Sequence, residues 1–148
     1  MIKLHLDGPR SVLLEQLVAQ FPSWSDLIDE ARQHVGPANK KEVWEEQAVA
    51  IAILAAQFNR PVALILELGA NCGLTAAIMK LAAPNALVTT LEPHQLRRKM
   101  TRANISALGV SVRPHTSVAF LAADARQYDL IFVDGDHKNI RLDLPWYN

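Results

Sequence analysis

The sequence predicts an α/β fold with a parallel sheet, and three observations carry that expectation. Nearly continuous apolar runs such as "VALILEL" (62–68) alternate with helix-period stretches, as expected of strands buried on both faces. Pro and Gly fall between the periodic segments as punctuation. Half of the 148 residues are hydrophobic, enough for one domain with a sizeable core.

The elements follow in chain order. Residues 1–40 form an N-terminal helical segment: the pattern from Ser11 to Gly36 is mostly helical, with a break near "FPSWSD" where Ser25 is a candidate cap. Residues 41–148 form the α/β domain. Lys41 to Phe58 places Trp44, Ala48, Ile51 and Ala55 on one helical face. "VALILEL" is strand one. "LTAAIMKLAA" then puts Leu74, Ala77, Ile78 and Leu81 on one face of a helix. "ALVTTLE" is strand two, and "QLRRKMTRANISALG" carries a stripe of Leu96, Met100, Ala103 and Ala107 that ends at Gly109, a candidate C-cap. "VSVRPH" reads as strand three, "TSVAFLAADA" as a short helix capped by Thr116 or Ser117, and "YDLIFVDGDH" as strand four ending in acids.

Fifteen Lys and Arg balance fifteen Asp and Glu, so the formal net charge is zero and general attraction to nucleic acid or anionic membrane is not expected. The longest apolar stretch, Ala48 to Ala56, is far short of the roughly 20 residues of a membrane span. The start of the chain lacks the features of a signal peptide, and a single Cys72 suits a reducing compartment, so the expected location is cytoplasmic.

The turn after strand one, "ELGANCG", raises the functional question. A glycine-bearing turn between a first strand and its helix is where open α/β sheets receive nucleotide-like ligands. The spacing Gly69, Asn71, Gly73 does not meet the dinucleotide pattern G-x-G-x-x-G, and Asn71 is the non-glycine residue best able to take a left-handed backbone there. Glu67 precedes the turn. A pyrophosphate about 5 Å from its charge would be repelled by roughly 3 kcal/mol per unit charge at an effective dielectric of about 20, whereas an ammonium or sulfonium would be attracted. Glu92, at the end of strand two, stands where an acid accepts hydrogen bonds from ribose hydroxyls. The two acids together describe a nucleoside with a cationic tail.

At these residues the sequence resembles the class I S-adenosylmethionine-dependent methyltransferases. "LELGANCG" is similar to their first motif, with Asn71 in the middle glycine position; "VTTLEP" resembles the second-strand motif; and "YDLIFVDGDHK" resembles the fourth-strand segment of small-molecule O-methyltransferase branches, the subfamily staying open. The resemblance covers roughly residues 40 to 143. It implies a Rossmann-like, doubly wound sheet of order 3-2-1-4, with Glu67, Gly69, Ala70, Asn71 and Gly73 around the methionine part of S-adenosylmethionine, Glu92 at the ribose and Thr116, Ser117 and Val118 at the adenine. Asp134, Asp136 and His137 would then face the transferred methyl, with His137 as a proton acceptor or Asp134 as a ligand of Mg²⁺. A solvated loop at Asp136 and His137 is the plain alternative.

The resemblance implies methyl transfer to a hydroxyl of a small molecule. A non-catalytic nucleoside-binding module and a nicotinamide-dependent oxidoreductase are the alternatives. The family fold has about seven strands and this sequence supplies four. The expectation is therefore a C-terminally truncated chain, or a homo-oligomer in which another chain covers the strand-four edge. The basic run Arg97, Arg98, Lys99 and Arg102 is expected to be a solvated helix face.

Overall fold

The computed structural model describes residues 24–36 and 43–135, together with Ala19. Within these residues the order is α1 (Trp24–Val35), α2 (Glu45–Ala56), β1 (Leu64–Leu68), α3 (Leu74–Ala82), β2 (Leu87–Leu91), α4 (Gln95–Ile105), β3 (Ser111–Arg113), α5 (Ser117–Ala123) and β4 (Leu130–Val133). The four strands form one sheet in the order β3-β2-β1-β4, every pair parallel, which is the expected order.

Helices cover both faces, which is why β1 reads as an apolar run broken only by Glu67. On one face Ile65 and Val88 pack with α1, α2 and α3 in the larger core. Side chains alternate across the sheet, so Leu66, Leu68 and Leu91 point the other way and meet Phe120 and Leu121 of α5 in a smaller core. Each fully buried Leu or Ile contributes roughly 1.5–3 kcal/mol relative to exposure, and Ile28, Ile65, Leu66 and Ile78 are all fully buried. Helix α3 lies beneath α1 and α2, so it is buried on nearly all sides and not only along the predicted stripe.

Two periodicity readings change. Trp44 does not share the buried face of Ala48, Ile51 and Ala55. It precedes the first turn of α2 as the N-cap residue and is 70% exposed. In α4 the stripe of Leu96, Met100, Ala103 and Ala107 is out of phase: Leu96, Ala103 and Ala107 are exposed, and the buried residues are Thr101 and Ile105. The end of that helix follows expectation. After Ile105 a 3-10 turn over Ser106–Leu108 leads into Gly109, whose φ of 73° is left-handed.

The predicted helix beginning at Ser11, and Asp136 and His137, lie outside the described residues. Among the described residues no helix is long and apolar enough to cross a membrane.

Candidate functional site at the carboxyl edge of the sheet

At the C-terminal ends of the strands lies a crevice of about 760 Å³, within the range of small-molecule sites, roughly 300–1,000 Å³. Its walls come from the turn after β1 (Gly69, Asn71), the segment after β2 (Glu92, Pro93, His94), Arg97 on α4, the turn into α5 (His115 to Val118) and the end of β4 (Asp134, Gly135). Of the residues proposed for a cofactor, Gly69, Asn71, Glu92, Thr116, Ser117, Val118 and Asp134 come together here. Glu67, Ala70 and Gly73 sit behind the wall, each shielded from the crevice by neighbouring chain.

The turn is built from the backbone outward. Asn71 has φ of 46°, the left-handed conformation its side chain tolerates. Gly73 donates to the Ala70 carbonyl at 2.7 Å, closing the turn, and Ala70 donates to the Leu91 carbonyl at 2.9 Å, tying it to β2. The two glycines serve close packing of the chain on itself. A Cβ on Gly69, which has φ of 107°, would lie 2.6 Å from the Asp134 carbonyl oxygen; one on Gly73 would press within 3.1–3.2 Å of Ile105 and Thr101. Sequence reasoning assigned these glycines to a ligand. The structure gives them first to β4 and α4.

Glu92 lies one residue past the end of β2, where the chain leaves the pleat and turns along the crevice. Its Oε2 accepts from the Asn71 amide at 3.1 Å and its Oε1 from the His94 amide at 2.9 Å. Each carboxylate oxygen has a second acceptor position, so Glu92 can anchor the turn and still receive hydroxyl donors from a ligand.

Glu67 differs. Inside β1 the pleat directs its side chain to the same face as Ile65, opposite Thr90 of β2, and it is fully buried. The Thr90 hydroxyl donates to Oε2, while Oε1 has no hydrogen-bond partner among the described residues. Burial pushes its pKa from 4.5 up to about 8; the Thr90 bond opposes that rise, and the nearby Asp134 and Glu92 add to it. At neutral pH this carboxyl is mostly protonated, because a charge left there would carry a desolvation penalty of several kcal/mol. The expected repulsion of phosphate by Glu67 therefore does not hold, and the acids that line the crevice are Glu92 and Asp134.

The α5 side of the crevice is set by a cap: Thr116 Oγ1 accepts from the Ala119 amide at 3.3 Å, leaving Ser117 and Val118 at the wall. Behind it Asp124 is held well below the usual carboxylate range, chiefly by its hydrogen bonds from the Arg126 guanidinium, which fix the connection into β4.

The basic run on α4 is solvated as expected, with Arg97, Lys99 and Arg102 exposed, and it also makes contacts at the edge of the sheet. Arg97 lines the crevice, Arg98 donates to the Glu92 and Pro93 carbonyls at 3.1 and 2.9 Å, and Arg102 donates to the Val112 carbonyl at 3.0 Å. Sequence reasoning also passed over Thr101 and Asn104, whose side chains reach the turn after β1. Their spacing of three, in line with Arg98, was the available signal. As for a metal, no group of three or more His, Cys, Asp or Glu side chains is arranged to hold one among the described residues.

No protein-family model matches the sequence, and no curated protein does either. Solved structures do match. The chain is similar to an O-methyltransferase from Bacillus cereus in complex with S-adenosylhomocysteine (20% identity, TM-score 0.59, covering 97% of this chain and 64% of that one). It is similar to an S-adenosylhomocysteine-bound methyltransferase of Podospora anserina (17%, TM-score 0.64, 97% and 66%). It is also similar to an O-methyltransferase from Streptomyces achromogenes involved in tomaymycin synthesis, in complex with S-adenosylmethionine (18%, TM-score 0.62, 95% and 61%). The chain thus spans 61% to 66% of the length of these proteins. At such identities the likeness is one of architecture, and it agrees with the strand order β3-β2-β1-β4: the chain has the Rossmann-like fold of S-adenosylmethionine-dependent O-methyltransferases.

Proposed function

We propose that the crevice binds S-adenosylmethionine and that the protein acts in methyl transfer, with a hydroxyl of a small molecule as acceptor. The observation that carries this reading is the position of Glu92: an acid at the end of β2, beside a left-handed turn after β1, in a crevice that also takes in the start of α5. Fold neighbours crystallised with S-adenosylhomocysteine or S-adenosylmethionine support it.

In this reading Glu92 receives the ribose hydroxyls, Gly69 and Asn71 lie along the methionine part, and Thr116, Ser117 and Val118 flank the adenine. The cofactor, when bound, supplies a methyl on a positively charged sulfur. The protein's part is to align an acceptor with that methyl and to make the acceptor nucleophilic. Asp134, at the end of β4 in the crevice wall, orients an acceptor hydroxyl and takes its proton. A dinucleotide is disfavoured by the turn's spacing and by the acids at the wall.

The test pairs calorimetry with turnover. S-adenosylhomocysteine is expected to bind and NAD not to. A panel of phenols and catechols with methyl-labelled cofactor is expected to give labelled product that falls at least tenfold in Asp134→Asn. Binding without product would leave the non-catalytic reading standing, and no binding of S-adenosylhomocysteine would remove both.

A further inference from the structure

The polar face of α4 reaches both walls of the crevice. Thr101 is fully buried on a helix whose neighbouring inward residue is the apolar Ile105, a position where an aliphatic side chain would be the ordinary choice. Its hydroxyl, which has one proton to give, lies 2.6 Å from the Asn71 carbonyl and 2.9 Å from the Arg97 carbonyl of its own helix. Three residues on, Asn104 Nδ2 donates to the Cys72 carbonyl at 2.9 Å. Three residues back, Arg98 donates to the Glu92 and Pro93 carbonyls. The three side chains lie along one side of the helix and end on the two backbone segments that would hold the cofactor.

The turn needs such support. Asn71 sits at φ of 46°, a conformation that is costly for a residue with a Cβ. The turn's own hydrogen-bond ring joins the Gly73 amide to the Ala70 carbonyl, whereas the Asn71 and Cys72 carbonyls meet donors from α4. Those two bonds restrain successive peptides of the turn, Thr101 the one between residues 71 and 72 and Asn104 the one between residues 72 and 73. Rotation of the turn without them would carry off the Asn71 amide that Glu92 accepts.

We propose that Thr101 and Asn104 are positioning residues that hold the turn after β1 in its ligand-receiving shape, so that these two side chains of α4 set cofactor affinity without touching the cofactor. The proposal rests on the reading that the crevice binds S-adenosylmethionine. Pre-organisation explains the effect: a turn already fixed in its bound shape loses little freedom when the ligand arrives.

The experiment uses Thr101→Val, which keeps the buried shape and removes the donor, Thr101→Ser, which keeps the donor, and Asn104→Ala. Two quantities are read in each: amide hydrogen exchange of residues 70–73 with no ligand present, and the Kd for S-adenosylhomocysteine. Thr101→Val is expected to speed exchange of the Asn71 and Gly73 amides and to weaken the ligand, each about tenfold, while amides of β1 and α3 keep their protection. Thr101→Ser is expected to restore both to within about twofold, a rescue that a simple packing role would not give. Unchanged exchange over residues 70–73 in Thr101→Val and Asn104→Ala would overturn the proposal. Because exchange is measured without ligand, it decides the matter even if the wild-type protein binds no S-adenosylhomocysteine, a result that would instead defeat the functional reading. Should Thr101→Val not fold, Asn104→Ala decides alone, since Asn104 is only half-buried.

Discussion

At the end of β1, Glu67 is fully buried with one carboxyl oxygen unpartnered among the described residues, whereas at the end of β2 Glu92 spends both oxygens on backbone amides at the crevice wall. The two strands are neighbours in register, and the acids differ by a short step along the chain. Glu67 still belongs to its strand, so the pleat decides where it points, and it points to the face of Ile65, which α1, α2 and α3 cover. Glu92 lies just past its strand; its amide still donates to the Arg113 carbonyl of β3 at 3.0 Å, while its side chain turns to the amides of Asn71 and His94 at the crevice wall. Position relative to the last strand residue therefore decides whether an acid at this edge is sealed in the core or lines the crevice.

The strongest way to break this contrast is to remove the ionisable group at the end of β1. Glu67 has a folded pKa raised from 4.5 to about 8. The unfolded chain gives up this proton near pH 4.5 and the folded chain holds it, so the stability it supports is fully present below about pH 4.5 and is lost as pH rises toward 8. The loss is on the order of 4 kcal/mol by linkage. Glu67→Gln imitates the protonated form. Urea denaturation is expected to give nearly equal midpoints for the two proteins at pH 5, with the variant the more stable at pH 8.5. A wild-type midpoint that stays flat from pH 5 to 8.5 would mean that Glu67 is ionised and the contrast is wrong.

Gly69→Ala attacks the same strand end sterically. A Cβ 2.6 Å from the Asp134 carbonyl, on a backbone at φ of 107°, is expected to cost about 3 kcal/mol and lower Tm by roughly 10 °C. At the end of β2, Glu92→Gln is expected to weaken S-adenosylhomocysteine by about ten- to a hundredfold, with a smaller change in stability, since an amide accepts from Asn71 and His94 less strongly than a carboxylate. If Glu67→Gln weakened the ligand more than Glu92→Gln did, the roles would have to be exchanged. The smallest effect is that of Thr90→Val, which removes the one hydrogen bond described for the Glu67 carboxyl. It is expected to destabilise by about 1 kcal/mol and to move the pH-dependent loss of stability upward, because that bond holds the Glu67 pKa down.

Much of the fold was legible because apolar runs and helical periods alternate without ambiguity from Glu45 to Val133, and the parallel order followed from buried strands. What misled was a phase: in α4 the apolar spacing of Leu96, Met100, Ala103 and Ala107 marks a largely outward side, since the inward side includes a threonine that serves the turn after β1. Periodicity registers apolar residues and is blind to a polar side chain buried to satisfy a carbonyl. Trp44 failed for a related reason, as a large apolar residue at a helix start can belong to the cap and not to the face. In the site, Glu92 could be placed from the end of its strand, whereas the segment from Thr116 to Val118, at the start of α5, came only from the resemblance. Glu67 could not, since its fate depended on which face of the sheet it shared with Ile65. Asp134 joins the crevice as expected; Asp136 and His137 lie outside the described residues.

The most direct measurement is a titration of the ¹⁵N-labelled protein with S-adenosylhomocysteine, and separately with NAD, followed by amide chemical shifts. S-adenosylhomocysteine is expected to perturb Asn71, Glu92 and Thr116 to Val118 together at one affinity, and NAD to leave them in place. Shifts from NAD at these amides, or shifts from S-adenosylhomocysteine that avoid Glu92, would contradict the assignment of this crevice to a sulfonium nucleoside.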